Sequence, residues 1–95
     1  YVKNGFYKII IAKSGKVLDV YAASLKSETN VQQYEWNGTD AQLWKFVDAG
    51  NGYYYIQSKL GTVIDLQGGQ TANGTNVWMY SLNKTKAQKW KLKKQ

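Results

Sequence analysis

Asp19 and Asp65 occupy matching places in this sequence of 95 residues, within Val-Leu-Asp-Val and Val-Ile-Asp-Leu. Both segments have the β-branched character of strands, in which side chains alternate between two faces, so each aspartate should point away from its apolar neighbours. An aspartate within a strand is unfavourable for folding and needs an explanation. It either caps a turn or the backbone, or it accepts hydroxyl protons from a ligand.

Aromatic and amide side chains follow each aspartate at matching distances. Tyr34 and Tyr80 come fifteen positions after the aspartates, and an asparagine comes three positions after each tyrosine. A carboxylate that accepts hydroxyl protons, an aromatic ring that covers a C–H face and amides that fix other hydroxyls are sufficient to bind a neutral sugar. The alternative is that the two tyrosines are ordinary cross-strand packing.

Catalysis has little support in the composition. The sequence has no histidine and no cysteine, and no base is evident for a hydroxyl nucleophile. A glycosidase needs two carboxylates that flank one bond. No such pairing is evident among the six acidic residues, Asp19, Glu28, Glu35, Asp40, Asp48 and Asp65. Phosphate-binding glycine motifs and metal-ligand clusters are also absent. The sequence predicts a binding protein with no catalytic residue, metal or cofactor.

The matching places belong to an internal repeat of 46 residues. Residues 15–46 align with residues 61–92 without a gap, and 13 of the 32 aligned pairs are identical. Both copies end in Ala-Gln-x-Trp-Lys. A repeat of this length predicts a fold that is built from repeated units. We place repeat one at residues 5–48 and repeat two at residues 52–93 of a single domain.

Each repeat is predicted to contain four short strands and no helix of useful length. Segments rich in β-branched and aromatic residues, or alternating in polarity, are separated by glycine, asparagine and serine turns. The predicted strands are Phe6–Ala12, Val17–Tyr21, Asn30–Trp36 and Gln42–Val47, then Tyr53–Ser58, Val63–Leu66, Asn76–Leu82 and Gln88–Lys93. The fold class is therefore predicted to be all-β.

The repeated Gln-x-Trp predicts buried side chains rather than ligand contacts. Lys89, Lys91 and Lys93 alternate in the last predicted strand and must face water, so the residues between them face inward. The inward set is Gln42, Trp44 and Phe46 in repeat one, and Gln88, Trp90 and Leu92 in repeat two. A buried glutamine must satisfy both ends of its amide, and a buried tryptophan supplies a large apolar surface.

The chain carries a net charge of +7, and all thirteen basic residues are lysines. Six of them lie near the C-terminus, at Lys84, Lys86, Lys89, Lys91, Lys93 and Lys94. A basic surface favours anionic partners. Recognition of bases and phosphates relies on the planar fork of arginine, which is absent, so we expect no specific nucleic-acid binding. No apolar run approaches the length of about 18 residues that would predict a membrane span.

Together these motifs resemble the ricin-B-type β-trefoil lectins, a family that includes carbohydrate-binding modules attached to bacterial glycosidases, wall enzymes and toxins. The second copy is the closer match, with Gly-Thr-Val-Ile-Asp-Leu-Gln-Gly-Gly-Gln-Thr-Ala-Asn-Gly-Thr-Asn-Val at residues 61–77. The first copy has Tyr21-Ala22-Ala23 and Lys26-Ser27-Glu28 where the pattern has glycines. The resemblance implies a β-trefoil fold and a module of a secreted bacterial protein, in some cases associated with the cell wall.

The resemblance implies one shallow sugar site in each repeat. In the family the aspartate accepts sugar hydroxyls, the aromatic residue fifteen positions later stacks on the sugar, and the residue two before that aromatic adds a contact. The implied site residues are Asp19, Gln32, Tyr34, Asn37 and Gln42 in repeat one, and Asp65, Trp78, Tyr80, Asn83 and Gln88 in repeat two. Many members have an asparagine before Gln-x-Trp, where this chain has Ala41 and Ala87. Gln42 and Gln88 could hold the aspartate instead.

A complete β-trefoil contains three repeats, and this sequence contains two. The resemblance therefore implies one of two cases: the third repeat is missing from this piece and belongs to a parent polypeptide, or another chain supplies it by association. The expected partner is a carbohydrate, galactose-type or another neutral sugar. Two alternatives stay open: a structural or protein-docking module with vestigial sugar sites, and a lysine-rich module that binds polyanions such as nucleic acid or teichoic acid.

Overall fold

The computed structural model describes residues 1–92, so Lys93 and Lys94 and the predicted end of repeat two at residue 93 lie outside the described residues. The described part contains seven strands: β1 (Val17–Val20), β2 (Thr29–Tyr34), β3 (Trp44–Gly50), β4 (Tyr53–Ser58), β5 (Val63–Leu66), β6 (Val77–Tyr80) and β7 (Trp90–Lys91). One-turn 3₁₀ helices lie at Tyr21–Ala23, Asp40–Gln42, Gln67–Gly69 and Lys86–Gln88. None of the helices in residues 1–92 has the length and apolar character needed to cross a membrane.

All strand pairs are antiparallel, and the order in the sheet is β1-β2-β6-β5-β4-β3, with β7 paired to β4. Within each repeat a hairpin forms, β1 with β2 and β5 with β6. The two repeats are joined where β2 pairs with β6 and where β3 pairs with β4. The prediction of an all-β fold with a β-trefoil arrangement is confirmed.

The predicted strand at Phe6–Ala12 is wrong as a continuous strand. This segment forms only isolated bridges, Phe6 with Lys3, Tyr7 with Trp44 and Ile10 with Val17. The equivalent bridges in repeat two are made by β4, which also pairs along its whole length with β3. Within the described residues, Phe6–Ala12 has no such second ladder along its other side. The described residues therefore contain seven strands where eight were predicted. The pairing with β3 that makes β4 a continuous strand has no equivalent at Phe6–Ala12.

The strands predicted to begin at Gln42 and Gln88 begin two residues later, at Trp44 and Trp90. Gln42 and Gln88 instead end one-turn 3₁₀ helices, with their backbone N–H groups donating to Thr39 O (3.0 Å) and Thr85 O (3.1 Å) respectively. Both glutamine side chains are fully buried, as predicted, but a turn places them there and not the alternation of a strand.

The core combines residues of both repeats: Val20, Ala41, Trp44, Ile64 and Met79. Trp44 and Trp90 occupy equivalent places, because their indole N–H groups donate to Leu18 O and Ile64 O, each at 3.1 Å. Trp44 is fully buried, as predicted, whereas Trp90 is only partly buried.

The unequal burial of the two tryptophans follows from their neighbours in the sheet. Trp44 is flanked by Tyr7 on one side and Ser58 on the other. Trp90 pairs with Tyr54 alone among the described residues. Leu92 follows the short β7 and is 52% exposed, so the prediction that it faces inward is wrong.

Candidate functional sites

A shallow cleft lies at the same place in each repeat, above the strand that carries the aspartate. The first cleft has a volume of about 350 Å³ and is lined by Asp19, Ala22, Ala23, Gln32, Tyr34, Asn37, Thr39 and Ala41. The second has a volume of about 530 Å³ and is lined by Glu28, Asp65, Gln67, Gly68, Gly69, Trp78, Tyr80, Thr85 and Ala87. The internal repeat of the sequence has therefore produced two related clefts.

The first cleft is built on Asp19, whose flanking residues Leu18 and Val20 pack in the core. Antiparallel pairing places Asp19 directly opposite Gln32, whose Nε2 donates to Asp19 Oδ1 at 3.1 Å. Gln42 Nε2 donates to Asp19 Oδ2 at 2.9 Å. The aspartate is only 6% exposed, yet each carboxylate oxygen has a hydrogen-bond donor. Its orientation is therefore fixed before any ligand arrives.

The second cleft repeats this arrangement with one change. Asp65 lies opposite Trp78, and the indole Nε1 donates to Asp65 Oδ1 at 3.0 Å. Gln88 Nε2 donates to Asp65 Oδ2 at 2.9 Å, and Asp65 is also 6% exposed. The amide donor of Gln32 is thus replaced by an indole donor at the equivalent position. This change adds a large aromatic surface to the second cleft.

The glutamine of Gln-x-Trp joins the aspartate to the loop that follows the second strand of each hairpin. Gln42 Nε2 also donates to Glu35 O at 2.8 Å, and its Oε1 accepts from the backbone N–H of Asn37 at 2.7 Å. Gln88 makes the same contacts with Ser81 O and the Asn83 N–H, both at 2.9 Å. Because both glutamines are fully buried, they position the aspartates from below rather than line the clefts.

Aromatic side chains form one wall of each cleft. Tyr34 lines the first cleft and is 54% exposed. In the second cleft Trp78 and Tyr80 are stacked on each other, with ring centroids 6.2 Å apart and an angle of 21° between the planes. These rings could cover the C–H face of a sugar, and the second cleft offers the larger aromatic surface.

The two predicted asparagines lie in equivalent turns, but only one of them is among the residues that line its cleft. In each turn the asparagine Oδ1 accepts from the threonine two positions later: Asn37 from Thr39, and Asn83 from Thr85. Asn37 lines the first cleft together with Thr39. In the second cleft the lining residue from this turn is Thr85, and Asn83 is not among the lining residues. The role of Asn83 as a sugar contact stays a prediction.

Several lining residues were not singled out by sequence reasoning. The turns at Ala22–Ala23 and Gly68–Gly69 form one side of the clefts, and their place in the family pattern could have indicated this. Glu28 carries no such signal, because it belongs to repeat one and lines the cleft of repeat two. Within residues 1–92, no three histidine, cysteine, aspartate or glutamate side chains are grouped as metal ligands.

These features can be compared with those of known proteins. A family model of ricin-type beta-trefoil lectin-like domains matches residues 1–80. A comparison with curated protein sequences finds no match. Among solved structures, this chain superposes on a designed threefold-symmetric protein, ThreeFoil, with a TM-score of 0.93 and 38% identity. The match covers 96% of this chain and 66% of ThreeFoil, so the chain spans about two thirds of that protein.

Two natural proteins show the same fold. An exo-β-1,3-galactanase from Clostridium thermocellum matches with a TM-score of 0.92 and 38% identity, over 96% of this chain and 20% of its own. A lectin from Polyporus squamosus, solved with a sialylated epitope, matches with a TM-score of 0.79 and 21% identity, over 95% of this chain and 32% of its own. At that identity the lectin shows the fold alone.

Proposed function

This chain belongs to the family of ricin-type β-trefoil lectin-like domains, and we propose that it is a non-catalytic carbohydrate-binding domain with one shallow site in each repeat. The observation that carries the proposal is the pair of equivalent clefts, each built on an aspartate whose two oxygens are held by side-chain donors. A folding role alone would not require an aromatic wall and an open cleft beside each aspartate.

The chemistry of the aspartates supports sugar binding. An ionised carboxylate offers about four lone-pair positions, and the protein uses one on each oxygen. Acceptor positions therefore remain for the hydroxyl protons of a sugar, while the neighbouring ring covers its apolar face. Since each aspartate is already oriented by two donors, little side-chain freedom is lost when a ligand binds.

The second cleft is proposed as the stronger site. It is larger than the first, and the stacked rings of Trp78 and Tyr80 replace the single exposed ring of Tyr34. It also has glycines at Gly68 and Gly69, where the first cleft has the methyl groups of Ala22 and Ala23. A sugar ring would meet fewer obstacles and more aromatic surface there.

We propose a neutral sugar of galactose type as the ligand, and a role in holding a larger secreted protein on a polysaccharide or glycoconjugate. The exo-β-1,3-galactanase, which is 38% identical, supports this choice by the substrate in its name. The proposal includes a third unit, contributed by a parent polypeptide or another copy, that pairs with the open side of β7. The match of this chain to 66% of a threefold-symmetric protein is consistent with that part.

Binding to a glycan array, followed by titration of the best glycan, tests the proposal. Asp65→Ala and Asp19→Ala should each weaken binding about ten- to a hundredfold, because a charge-assisted hydrogen bond contributes roughly 1.5–3 kcal/mol. The effect should be clearest with multivalent glycans, on which two weak sites act together. Asp40→Ala is the matched control, since it removes an exposed carboxylate that forms an ion pair with Lys59 over 3.5 Å.

The same titrations separate the proposal from its alternatives. Sugar binding that is unchanged in the Asp19→Ala, Asp65→Ala double variant would contradict the assigned sites and favour a protein-docking module. Because each aspartate also accepts two internal hydrogen bonds, circular dichroism must show that the variants are folded at the temperature of the titration. Sedimentation at high protein concentration would reveal whether copies associate.

A second candidate, binding of an anionic polymer, is favoured by a cleft at the junction of the repeats. This cleft of about 440 Å³ is lined by Ala49, Gly50, Asn51, Tyr53, Lys86 and Lys89. Two lysines beside an aromatic ring could attract a polyanion such as teichoic acid. Affinity for such a polymer that falls steeply with salt, with no preference among neutral sugars, would support this candidate over the first.

A further inference from the structure

Glu28 is a residue of repeat one that lines the cleft of repeat two. It reaches that cleft because β2 pairs with β6 at Thr29 and Met79 and at Asn30 and Trp78. The Glu28 N–H donates to Met79 O at 2.6 Å. The position of its backbone is therefore set by the strand that carries both aromatic residues of the second cleft.

The neighbouring Ser27 fixes the same junction through its side chain. Ser27 Oγ lies 2.9 Å from Ser81 Oγ and accepts from the Ser81 N–H at 3.0 Å. With the Glu28 contact, three hydrogen bonds hold this short turn against β6 and the residue that follows it. Glu28 is thus anchored by its backbone, while its side chain is exposed at the rim of the cleft.

Glu28 also has an unfavourable backbone conformation. Its φ is 70°, in the left-handed region, and the equivalent residue of repeat two is Gly74 with φ 85°. Non-glycine residues in this region are strained, and such strain is concentrated at functional sites. Within residues 1–92 the observed ion pair joins Lys59 and Asp40, and no lysine is paired with Glu28. Among the described residues, therefore, no ion pair within the fold accounts for the carboxylate of Glu28.

From these observations we propose that Glu28 is a specificity-determining residue of the second cleft, where it favours a sugar that carries a protonated amine over the neutral sugar of the same shape. This inference rests on the proposed sugar binding and, for the second cleft alone, replaces the neutral ligand proposed above by a positively charged sugar. The cleft would offer an exposed carboxylate for the ammonium group and the stacked rings of Trp78 and Tyr80 for the sugar face. The first cleft contains no second carboxylate besides Asp19 among its lining residues.

Sugar binding at each of the two clefts can be measured separately by NMR of the intact, ¹⁵N-labelled chain. Trp78 lines only the second cleft, so its indole N–H signal reports binding there, and the side-chain amide of Gln32 reports binding in the first. The probes are galactosamine, galactose and N-acetylgalactosamine, the last as a neutral sugar with a substituent at the same carbon. The titrations are made at mildly acidic pH, where the amine is protonated and a glutamate is still ionised.

We expect galactosamine to bind the second cleft about two- to fivefold more tightly than galactose or N-acetylgalactosamine, the range for an exposed ion pair. Glu28→Gln, which removes the charge but keeps the shape, should abolish this preference, so that galactosamine no longer binds the second cleft more tightly than galactose. Glu35→Gln is the matched control, because Glu35 is exposed and does not line the second cleft. Added salt should reduce the preference in the unaltered chain and in Glu35→Gln, because both retain the carboxylate of Glu28.

The outcomes distinguish failure of the inference from failure of the proposed function. The inference is overturned if galactose and galactosamine shift the Trp78 signal with equal affinity, or if the preference for galactosamine survives in Glu28→Gln. In both cases the proposed sugar binding still stands. A preference of equal size in the first cleft would also overturn the inference. If neither sugar shifts the Trp78 signal and no glycan binds the second cleft, the proposed function fails for that cleft together with the inference.

Discussion

Repeat one and repeat two follow the same backbone path with different residues at the left-handed positions. Repeat one has Ala22, Ala23 and Glu28, with φ of 54°, 51° and 70°, where repeat two has Gly68, Gly69 and Gly74, with φ of 62°, 65° and 85°. One position is reversed, with Gly38 at 73° in repeat one and Lys84 at 62° in repeat two. A left-handed conformation costs a non-glycine residue about 1–2 kcal/mol, yet the backbone keeps it in both copies.

This difference shows that the fold, and not the residue type, sets these conformations. The turns are held by hydrogen bonds that both repeats share, such as Ser24 N–H to Tyr21 O (3.2 Å) and Gln70 N–H to Gln67 O (3.3 Å). A Cβ added at Gly69 would meet nothing within 4 Å, so no clash explains the glycine there. At these three positions repeat one therefore has backbone strain that the glycines of repeat two do not have.

The largest expected difference between the repeats concerns their tryptophans. Trp44→Ala should lower the free energy of unfolding by about 3–5 kcal/mol, since a fully buried ring is lost. Trp90→Ala should lower it by about 1–3 kcal/mol, because this ring is only partly buried. Urea denaturation followed by circular dichroism measures both. Equal losses in the two variants would mean that the partial exposure of Trp90 does not weaken its packing.

The buried glutamines should show where the repeats are alike. Gln42→Ala and Gln88→Ala should each lower the free energy of unfolding by about 2–4 kcal/mol, since each leaves a backbone N–H, a backbone C=O and a carboxylate oxygen short of a partner. Gln33→Ala, at an exposed position, is the control and should change stability by less than about 0.5 kcal/mol. A clear difference between the Gln42 and Gln88 variants would break the equivalence of the two networks.

Exchange of glycine and alanine should sharpen the comparison of the turns. Ala23→Gly should raise the free energy of unfolding by about 0.5–1 kcal/mol, and Gly69→Ala should lower it by about 1 kcal/mol. The two changes are mirror images at equivalent positions, so equilibrium denaturation of both variants tests one physical cause. If Gly69→Ala were neutral, the left-handed conformation of this turn would not be enforced by its surroundings.

The smallest single effect is expected for Lys84→Gly, at the reversed position. Lys84→Gly should raise the free energy of unfolding by about 0.5 kcal/mol, and Gly38→Ala should lower it by about 1 kcal/mol, because both positions are left-handed. A Cβ at Gly38 would lie 3.9 Å from Trp36, an ordinary contact, so strain and not crowding would be measured. Stabilisation by Ala23→Gly without stabilisation by Lys84→Gly would indicate that the turns at these two positions are held differently.

Much of the site could be predicted because its parts are set by local patterns. Asp19 and Asp65 face away from the core because a strand alternates with a period of two, and a shift of one residue would exchange the faces. The burial of Gln42 and Gln88 followed from the same alternation, although the structure places both residues in a turn. The predicted burial was correct, but the predicted secondary structure at these two residues was not. A one-turn 3₁₀ helix is too short to produce a periodic pattern in the sequence.

Predictions failed where the outcome depends on a distant partner. Phe6–Ala12 has the composition of a strand, but a ladder forms only where a second strand lies alongside it. Leu92 has the correct parity for burial, but β7 is too short and too sparsely flanked to cover it.

The sequence by itself indicated two repeats, their register, and the aspartate, aromatic and glutamine residues that lie at each cleft, because these are properties of short segments. Only the tertiary structure decided which residues from different segments meet. It brought Glu28 of repeat one to the cleft of repeat two, and it held Ala22 and Ala23 in a left-handed turn. The place of Glu28 depends on the pairing of β2 with β6, which lie far apart in the chain, and no local pattern encodes that pairing.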